Sequence, residues 1–287
     1  SLWENQRYIE HTTKKYPDFE RLDSLNLEKG VLSPTFQHIE KLMSSTKILQ
    51  TLRLAALLHD VGHPPFAHSG ERFLPTYIDV YEKNPSISVF LKEFIQQKIA
   101  EHGETKPVTH ELMSLIMTDR IINDIVKEEN KDISNISSRE VCSVLNPQIS
   151  PPPDSELNSL GVNGLCHEIL SSEVDIDRMD YLLRDSKECG VVYGLFDINR
   201  IFDSFACYLN PNNNTLHLGL QNSGLAAFED YLRARQSMYV QLYFHKTTVA
   251  AEAMLSVATK LLGDWKFCAN VDEYYEFDES NIYHHLI

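Results

Sequence analysis

The segment that most restricts how this chain can fold is LRLAALLHDVGHPPFAHSGE, residues 52–71. An apolar stretch with helical spacing runs directly into His59-Asp60, and Gly62, Pro64 and Pro65 then stop the helix. That helix reads as residues 47–60, with Leu49, Leu52 and Ala56 at three- and four-residue spacing. His63, His68 and Glu71 follow within the next turns of chain. Burying Asp60 unpaired costs several kcal/mol unless a cation compensates, and a divalent metal is one such cation. An exposed helix end is the other solution, with His59 favoured near the negative end of the helix dipole.

The same periodicity recurs along the chain. Residues 108–128 and 224–262 read as amphipathic helices, the second long and striped with aromatic and aliphatic side chains. Pro, Ser and Asn make residues 144–161 a loop. Residues 206–220 differ, because two β-prone runs flank an Asn-rich turn, the pattern of a hairpin. The expected fold is therefore all-α, with one short β-hairpin near 206–220. The whole of 1–287 reads as one domain, its core at about 16–262, with 263–287 opening a C-terminal region that continues past the given end.

Charge and cysteines narrow the function classes. The chain carries 26 Lys and Arg against 41 Asp and Glu, a net charge of −15. Such a protein repels a polyanion, so nucleic acid is not the expected partner and a phosphate ligand needs a locally basic pocket. No apolar run reaches membrane-spanning length, and five cysteines without a CxxC pair suit a reduced, cytoplasmic protein.

Two further segments bear on a metal. His38 stands in SPTFQHIEKLM, at the start of a helical stretch before the His59-Asp60 helix, so a helical hairpin would bring the two together. His11, in RYIEH, is a rival. In SSEVDIDRMDYLLRDS, residues 171–186, a helix from about Asp177 would place Asp177, Tyr181, Arg184 and Asp185 on one face. Further on, Arg235, Tyr239 and Tyr243 recur every four residues and would share a face too.

The set His38, His59-Asp60 and Asp177 resembles the HD superfamily of metal-dependent phosphohydrolases. LLHDVGHPPFAHSGE, VDIDRMDYLLRDS, VVYGLFD and YLRARQSMYVQLYFHK, in that order, are similar to the deoxynucleoside triphosphate triphosphohydrolases of that superfamily. YPDFERL from Tyr16 extends the likeness. The resemblance implies that His38, His59, Asp60 and Asp177 bind one divalent metal, with Fe, Mn, Zn, Ni, Co or Mg all open, and that further Mg can accompany the triphosphate. It places His63 and His68 near the α-phosphate and pairs His110 with Glu71, an arrangement suited to acid–base work near neutral pH. It assigns Arg178 and Arg235 to phosphate, and Tyr181, Asp185, Tyr239 and Tyr243 to sugar and base. It also implies a homo-oligomer.

The chain departs from that pattern in two places. Thr35-Phe36-Gln37-His38 stands where the group commonly has RFEH, and Ser24 or a neighbour stands where a base-contacting Gln is common. Substrate choice is therefore open between dNTPs cleaved to deoxynucleoside and triphosphate, other nucleotides cleaved by a nucleotidase or phosphodiesterase, and a nucleotide sensor in which catalysis is secondary.

Overall fold

A computed structural model describes residues 45–127, 135–210, 212–260, 266–278 and 280. His38, with His11, Ser24 and Thr35, lies outside the described residues. The longer elements are α1 (Thr46–Leu58), α2 (Tyr77–Lys83), α3 (Val89–His102), α4 (His110–Lys127), α5 (Ser138–Leu145), α6 (Val162–Leu170), α7 (Ile176–Glu188), β1 (Phe205–Asn210), β2 (Thr215–Leu220), α8 (Leu225–Met238) and α9 (Lys246–Lys260). The expected class, helical with one hairpin, is what the structure has. No helix among the described residues is long and apolar enough to cross a membrane.

The chain divides into two compact units, Ser1–Leu49 with Pro153–Tyr243, and Gln50–Pro152 with Phe244–Ile287. In the second unit α4 is the central element, since every residue from Leu112 to Asp119 is buried. Leu112, Met113 and Ile116 pack with Leu74, Leu91, Ile95 and Phe267 in one apolar cluster. Asp119 is buried too, and it is satisfied: its carboxylate accepts from the Ser88 amide at 2.9 Å, the Ser88 hydroxyl at 2.6 Å, Asn123 at 3.0 Å and the Ser138 hydroxyl at 2.6 Å. One side chain thus ties the starts of α3 and α5 to α4.

In the other unit Met179 and Leu182 of α7 pack against Ala227, Tyr231 and Met238 of α8. The hairpin pairs Phe205 with Leu220 through Asn210 with Thr215, and its turn uses Asn214 at φ 53°, a left-handed position that Asn tolerates. Glu168 fastens α6 to β2, accepting from His217 Nδ1 at 2.6 Å and from the Leu218 amide at 2.7 Å.

Three sequence-based boundaries move. α1 ends at Leu58, so His59 and Asp60 stand in the turn after it and not in its last turn. The loop is shorter than 144–161, because α5 reaches Leu145 and a 3-10 segment starts at Glu156 with Leu157 buried. The long helix expected over 224–262 is broken: α8 ends at Met238, a π turn covers Tyr239–Tyr243, and α9 starts afresh at Lys246. Its new start is marked by His245, whose Nδ1 accepts from the Thr247 amide at 3.3 Å.

Gly62 also has a different reason from the one periodicity suggested. A Cβ there would lie 2.1 Å from the Ser114 amide nitrogen and 2.7 Å from the His110 carbonyl oxygen, both backbone atoms of α4. Its amide donates to Ser114 Oγ at 2.9 Å, and its carbonyl accepts from the Tyr274 hydroxyl at 2.9 Å. Gly62→Ala is expected to lower stability by about 2 kcal/mol or more, since the rigid helix backbone cannot yield. Asp119→Ala should cost about 3 kcal/mol, because it leaves the Ser88 and Ser138 donors without their acceptor. Urea denaturation followed by circular dichroism checks both, and a change below about 0.5 kcal/mol in either would contradict the packing described.

Candidate active site

Within the unit built from Gln50–Pro152 and Phe244–Ile287, the turn after α1 gathers the first donor atoms. His59 Nδ1 lies 2.8 Å from the Ala56 carbonyl oxygen. A carbonyl can only accept, so Nδ1 carries the proton and Nε2 keeps its lone pair. That Nε2 stands 3.4 Å from Asp60 Oδ2. A nitrogen and a carboxylate oxygen, one oriented by a backbone carbonyl behind it, are the donors that a divalent ion takes. The residues present fit a metal.

The next turn adds a second group. Pro64 and Pro65 lead into Phe66 at φ 66° and Ala67 at φ 47°, two successive left-handed residues with side chains. Each such position costs of order 1–3 kcal/mol, and together they reverse the chain between His63 and His68. The docking of Gly62 on α4 puts His63 against His110, the first residue of that helix, with ring centroids 3.9 Å apart and nearly parallel. His68 meets the His63 ring edge-on at 4.8 Å.

Glu71 Oε1 accepts from both His68 Nδ1 at 2.6 Å and His110 Nδ1 at 2.9 Å. Both rings therefore hold their proton on Nδ1 and leave Nε2 free to accept or ligate. His63 Nε2 is 3.8 Å from the same Asp60 Oδ2 that faces His59. Burial, and then the neighbouring His110, push the His63 imidazole below its ordinary value. Its Nδ1 is buried with no hydrogen-bond partner among the described residues.

The unit of Ser1–Leu49 and Pro153–Tyr243 carries the other set. α7 is capped by Asp175, whose Oδ1 accepts from the Arg178 amide at 2.7 Å, so Asp177 falls in the first turn. Asp175 Oδ2 binds the Arg178 guanidinium at 2.8 Å, and that guanidinium also donates to the Ser172 carbonyl. Burial pushes the Asp175 carboxyl up, with the Arg178 amide and charge opposing.

Further along α7, Tyr181 and Asp185 meet the π turn. The Tyr243 hydroxyl donates to Asp185 Oδ2 at 2.8 Å, and the Tyr181 and Tyr239 hydroxyls are 3.3 Å apart. Tyr243 sits edge-on to Tyr181 at 6.0 Å and to Tyr239 at 5.1 Å. The Arg235 guanidinium is 5.9 Å from the Tyr239 ring and bonds Glu173 at 3.3 Å. Burial, and then Tyr239 for Tyr181 and Asp185 for Tyr243, raise both phenols well above the ordinary tyrosine range, so they act as hydroxyl donors. Tyr181, Asp185, Arg235, Tyr239 and Tyr243 thus form one connected face, and Arg178 stands one turn before Tyr181 on the same helix.

Two residues escaped the sequence reading as partners. Asp175 is a buried helix cap and Glu173 the counter-ion of Arg235. Asp175 had a signal, an Asp three residues before Arg178 at the start of an amphipathic helix. Glu173 had none, because its partner is 62 residues away.

Comparison with known proteins agrees with this geometry. The profile of the HD domain family matches residues 35–185, just over half of the 287 residues. The chain is 28% identical over 210 residues to an uncharacterized protein of Methanocaldococcus jannaschii, covering 73% of this chain and 33% of that protein. It is 30% identical over 212 residues to the uncharacterized protein YwfO of Bacillus subtilis, covering 72% and 35%. It is 25% identical over 230 residues to the human deoxynucleoside triphosphate triphosphohydrolase SAMHD1, covering 76% and 32%. The chain spans about a third of the length of these three relatives. With the profile matched from Thr35 through the His59-Asp60 turn to Asp185, this chain belongs to the HD domain family.

Proposed function

We propose that this chain is a metal-dependent phosphohydrolase of deoxynucleoside triphosphates. Water adds to the α-phosphorus, the bond to the 5′-oxygen breaks, and a deoxynucleoside and inorganic triphosphate leave. The observation that carries the reading is Glu71 holding His68 and His110 by one oxygen, immediately after the His59-Asp60 turn. The triphosphohydrolase activity in the name of the human relative SAMHD1 supports the choice of substrate.

His38, His59, Asp60 and Asp177 are the ligands in this reading, and 1–287 works as one catalytic domain. A divalent ion held there supplies Lewis-acid polarisation of a phosphoryl oxygen and activation of water. His68 and His110, with Nδ1 protonated and Nε2 free, take or give a proton at Nε2 once they face the α-phosphate. Glu71 fixes both rings and stabilises either as imidazolium. His63 supports His110 through the parallel ring contact. Arg178 and Arg235 supply local positive charge for phosphate in a protein of net charge −15. Tyr181 stacks on the sugar, Asp185 accepts from its 3′-hydroxyl, and Tyr239 and Tyr243 border the base. Nucleotides are the small-molecule partners, and a homo-oligomer is the working assembly.

One observation favours a second substrate class. Arg178 and Arg235 both already bond carboxylates, Asp175 and Glu173, which weakens their pull on a triphosphate. A nucleotide with fewer phosphates would then suffice, and product chromatography distinguishes the two.

The test incubates the metal-loaded protein with each dNTP and assays inorganic triphosphate. Release is expected, with His59→Ala and Asp177→Ala each lowering kcat by about 10³-fold or more, as loss of a metal site does. Absence of triphosphate from all four dNTPs under several metals would sink the proposal. Tyr243→Phe removes the hydroxyl that holds Asp185 and should lower kcat/KM about 10-fold, mostly through KM. Equal kinetics for this variant and the parent protein would remove the Tyr243–Asp185 contact from the nucleotide site.

A further inference from the structure

His68 and His110 are each held by a bond to Glu71, whereas the His63 ring, among the described residues, has no hydrogen bond at Nδ1 and stands 3.8 Å from Asp60 Oδ2 at Nε2. Its stacking on His110, with centroids 3.9 Å apart, therefore depends on where the backbone delivers it. The peptide group between Gly62 and His63 is pinned at both of its polar atoms. Its N–H, on His63, donates to the Asp60 carbonyl at 3.0 Å, and its C=O, on Gly62, accepts from the Tyr274 hydroxyl at 2.9 Å. Two bonds on opposite sides of one planar group fix the plane, and with it the direction in which the His63 side chain leaves the chain.

Tyr274 lies beyond residues 35–185, the stretch matched by the family profile. The segment that carries it is tied down without its hydroxyl. The Phe267 amide donates to the Phe73 carbonyl at 2.7 Å, and the buried Asn84 side chain accepts from the Val271 amide at 2.8 Å and donates to the Ala269 carbonyl at 2.7 Å. Tyr274 itself is buried, and its ring meets Phe267 edge-on at 6.2 Å. Packing accounts for the ring but not for its oxygen, since phenylalanine would fill the same space without a hydroxyl to desolvate. Burial, and then the Glu71 carboxylate, raise the phenol well above the ordinary tyrosine range, so the hydroxyl remains a donor at Gly62.

We propose that Tyr274 is a positioning residue of the candidate active site, its hydroxyl setting the His63 ring against His110 through the Gly62 carbonyl. It touches no reacting atom. The inference rests on the reading that His110 moves a proton at the α-phosphate, and it brings into the working site a tyrosine from outside the matched region. Without the hydroxyl the Gly62–His63 peptide can tilt, the His63 ring slides on His110, and His110 Nε2 loses its aim, while Glu71 keeps its bond to His68. A small misplacement of this kind lowers the rate of the chemical step more than it lowers substrate affinity.

The experiment compares the unaltered full chain with Tyr274→Phe and with Ser138→Ala, which removes a buried hydroxyl from the Asp119 group of the same unit. Long-range 1H–15N spectra of the zinc-loaded chain report the imidazole rings, and triphosphate release gives kcat and KM. Tyr274→Phe is expected to move the His63 and His110 ring resonances and to leave His217, in the other unit, unmoved. It should lower kcat about 10-fold with KM changed less than about twofold. Ser138→Ala should match the unaltered chain in both measurements, which separates positioning from a general loss of stability. His63 and His110 resonances that stay at their original positions in Tyr274→Phe would overturn the proposal, whatever the kinetics. So would an unchanged kcat in that variant, or equal changes in Ser138→Ala. If the unaltered chain releases no triphosphate from any dNTP, the assigned reaction falls, and the ring resonances alone decide whether Tyr274 sets His63.

Discussion

Gly62 approaches α4 so closely that no other residue fits between its Cα and the helix backbone. Its amide bonds Ser114 and its carbonyl receives the Tyr274 hydroxyl, so the turn after α1 is clamped from two directions. The placing of His59, His63 and His110 around this turn follows from that clamp. His59 and Asp60 precede it by a few residues, His63 follows it directly, and His110 belongs to the helix it touches. The two left-handed residues Phe66 and Ala67 then bring His68 and Glu71 back over the same helix start. Close packing of the Gly62 backbone on α4, more than any side-chain bond, sets the spacing of these side chains.

How much of this could be read from the sequence depends on the range of the interaction. The apolar spacing before His59, the hairpin around Asn214 and the helix carrying Asp177 are local patterns, and the structure has them. The end of α1 was placed two residues too late because Gly62, Pro64 and Pro65 look like the stop signal. The Gly in fact serves a contact made 52 residues further on. The long helix over 224–262 was misread for another reason. Tyr239 and Tyr243 keep a helix-like spacing, yet Tyr243 packs its ring on Tyr181 and donates to Asp185 while the Tyr239 hydroxyl meets that of Tyr181, and the backbone widens into a π turn there. Local spacing cannot distinguish these two geometries, since both place the rings about one turn apart.

The candidate site was partly legible for the same reasons. Glu71 and His110 were paired by resemblance, but the sharing of one carboxylate oxygen with His68 needed coordinates. Arg178 and Arg235 were assigned to phosphate by the same resemblance. Their carboxylate partners, Asp175 and Glu173, change the picture from two free cations to two pre-oriented ion pairs. Such pairing limits the wandering of long side chains and lowers the net attraction for an anion, so the pair of effects tunes affinity in opposite directions.

The Glu71 oxygen has a mechanical side as well. One atom serves as the pivot for two rings, one at the surface and one in the interior. Any displacement of the outer ring alters how the pivot is shared and so the hold on the inner ring. A contact made in solvent is thereby felt at the start of α4 without any movement of the main chain, and the carboxylate works as a relay as much as an anchor.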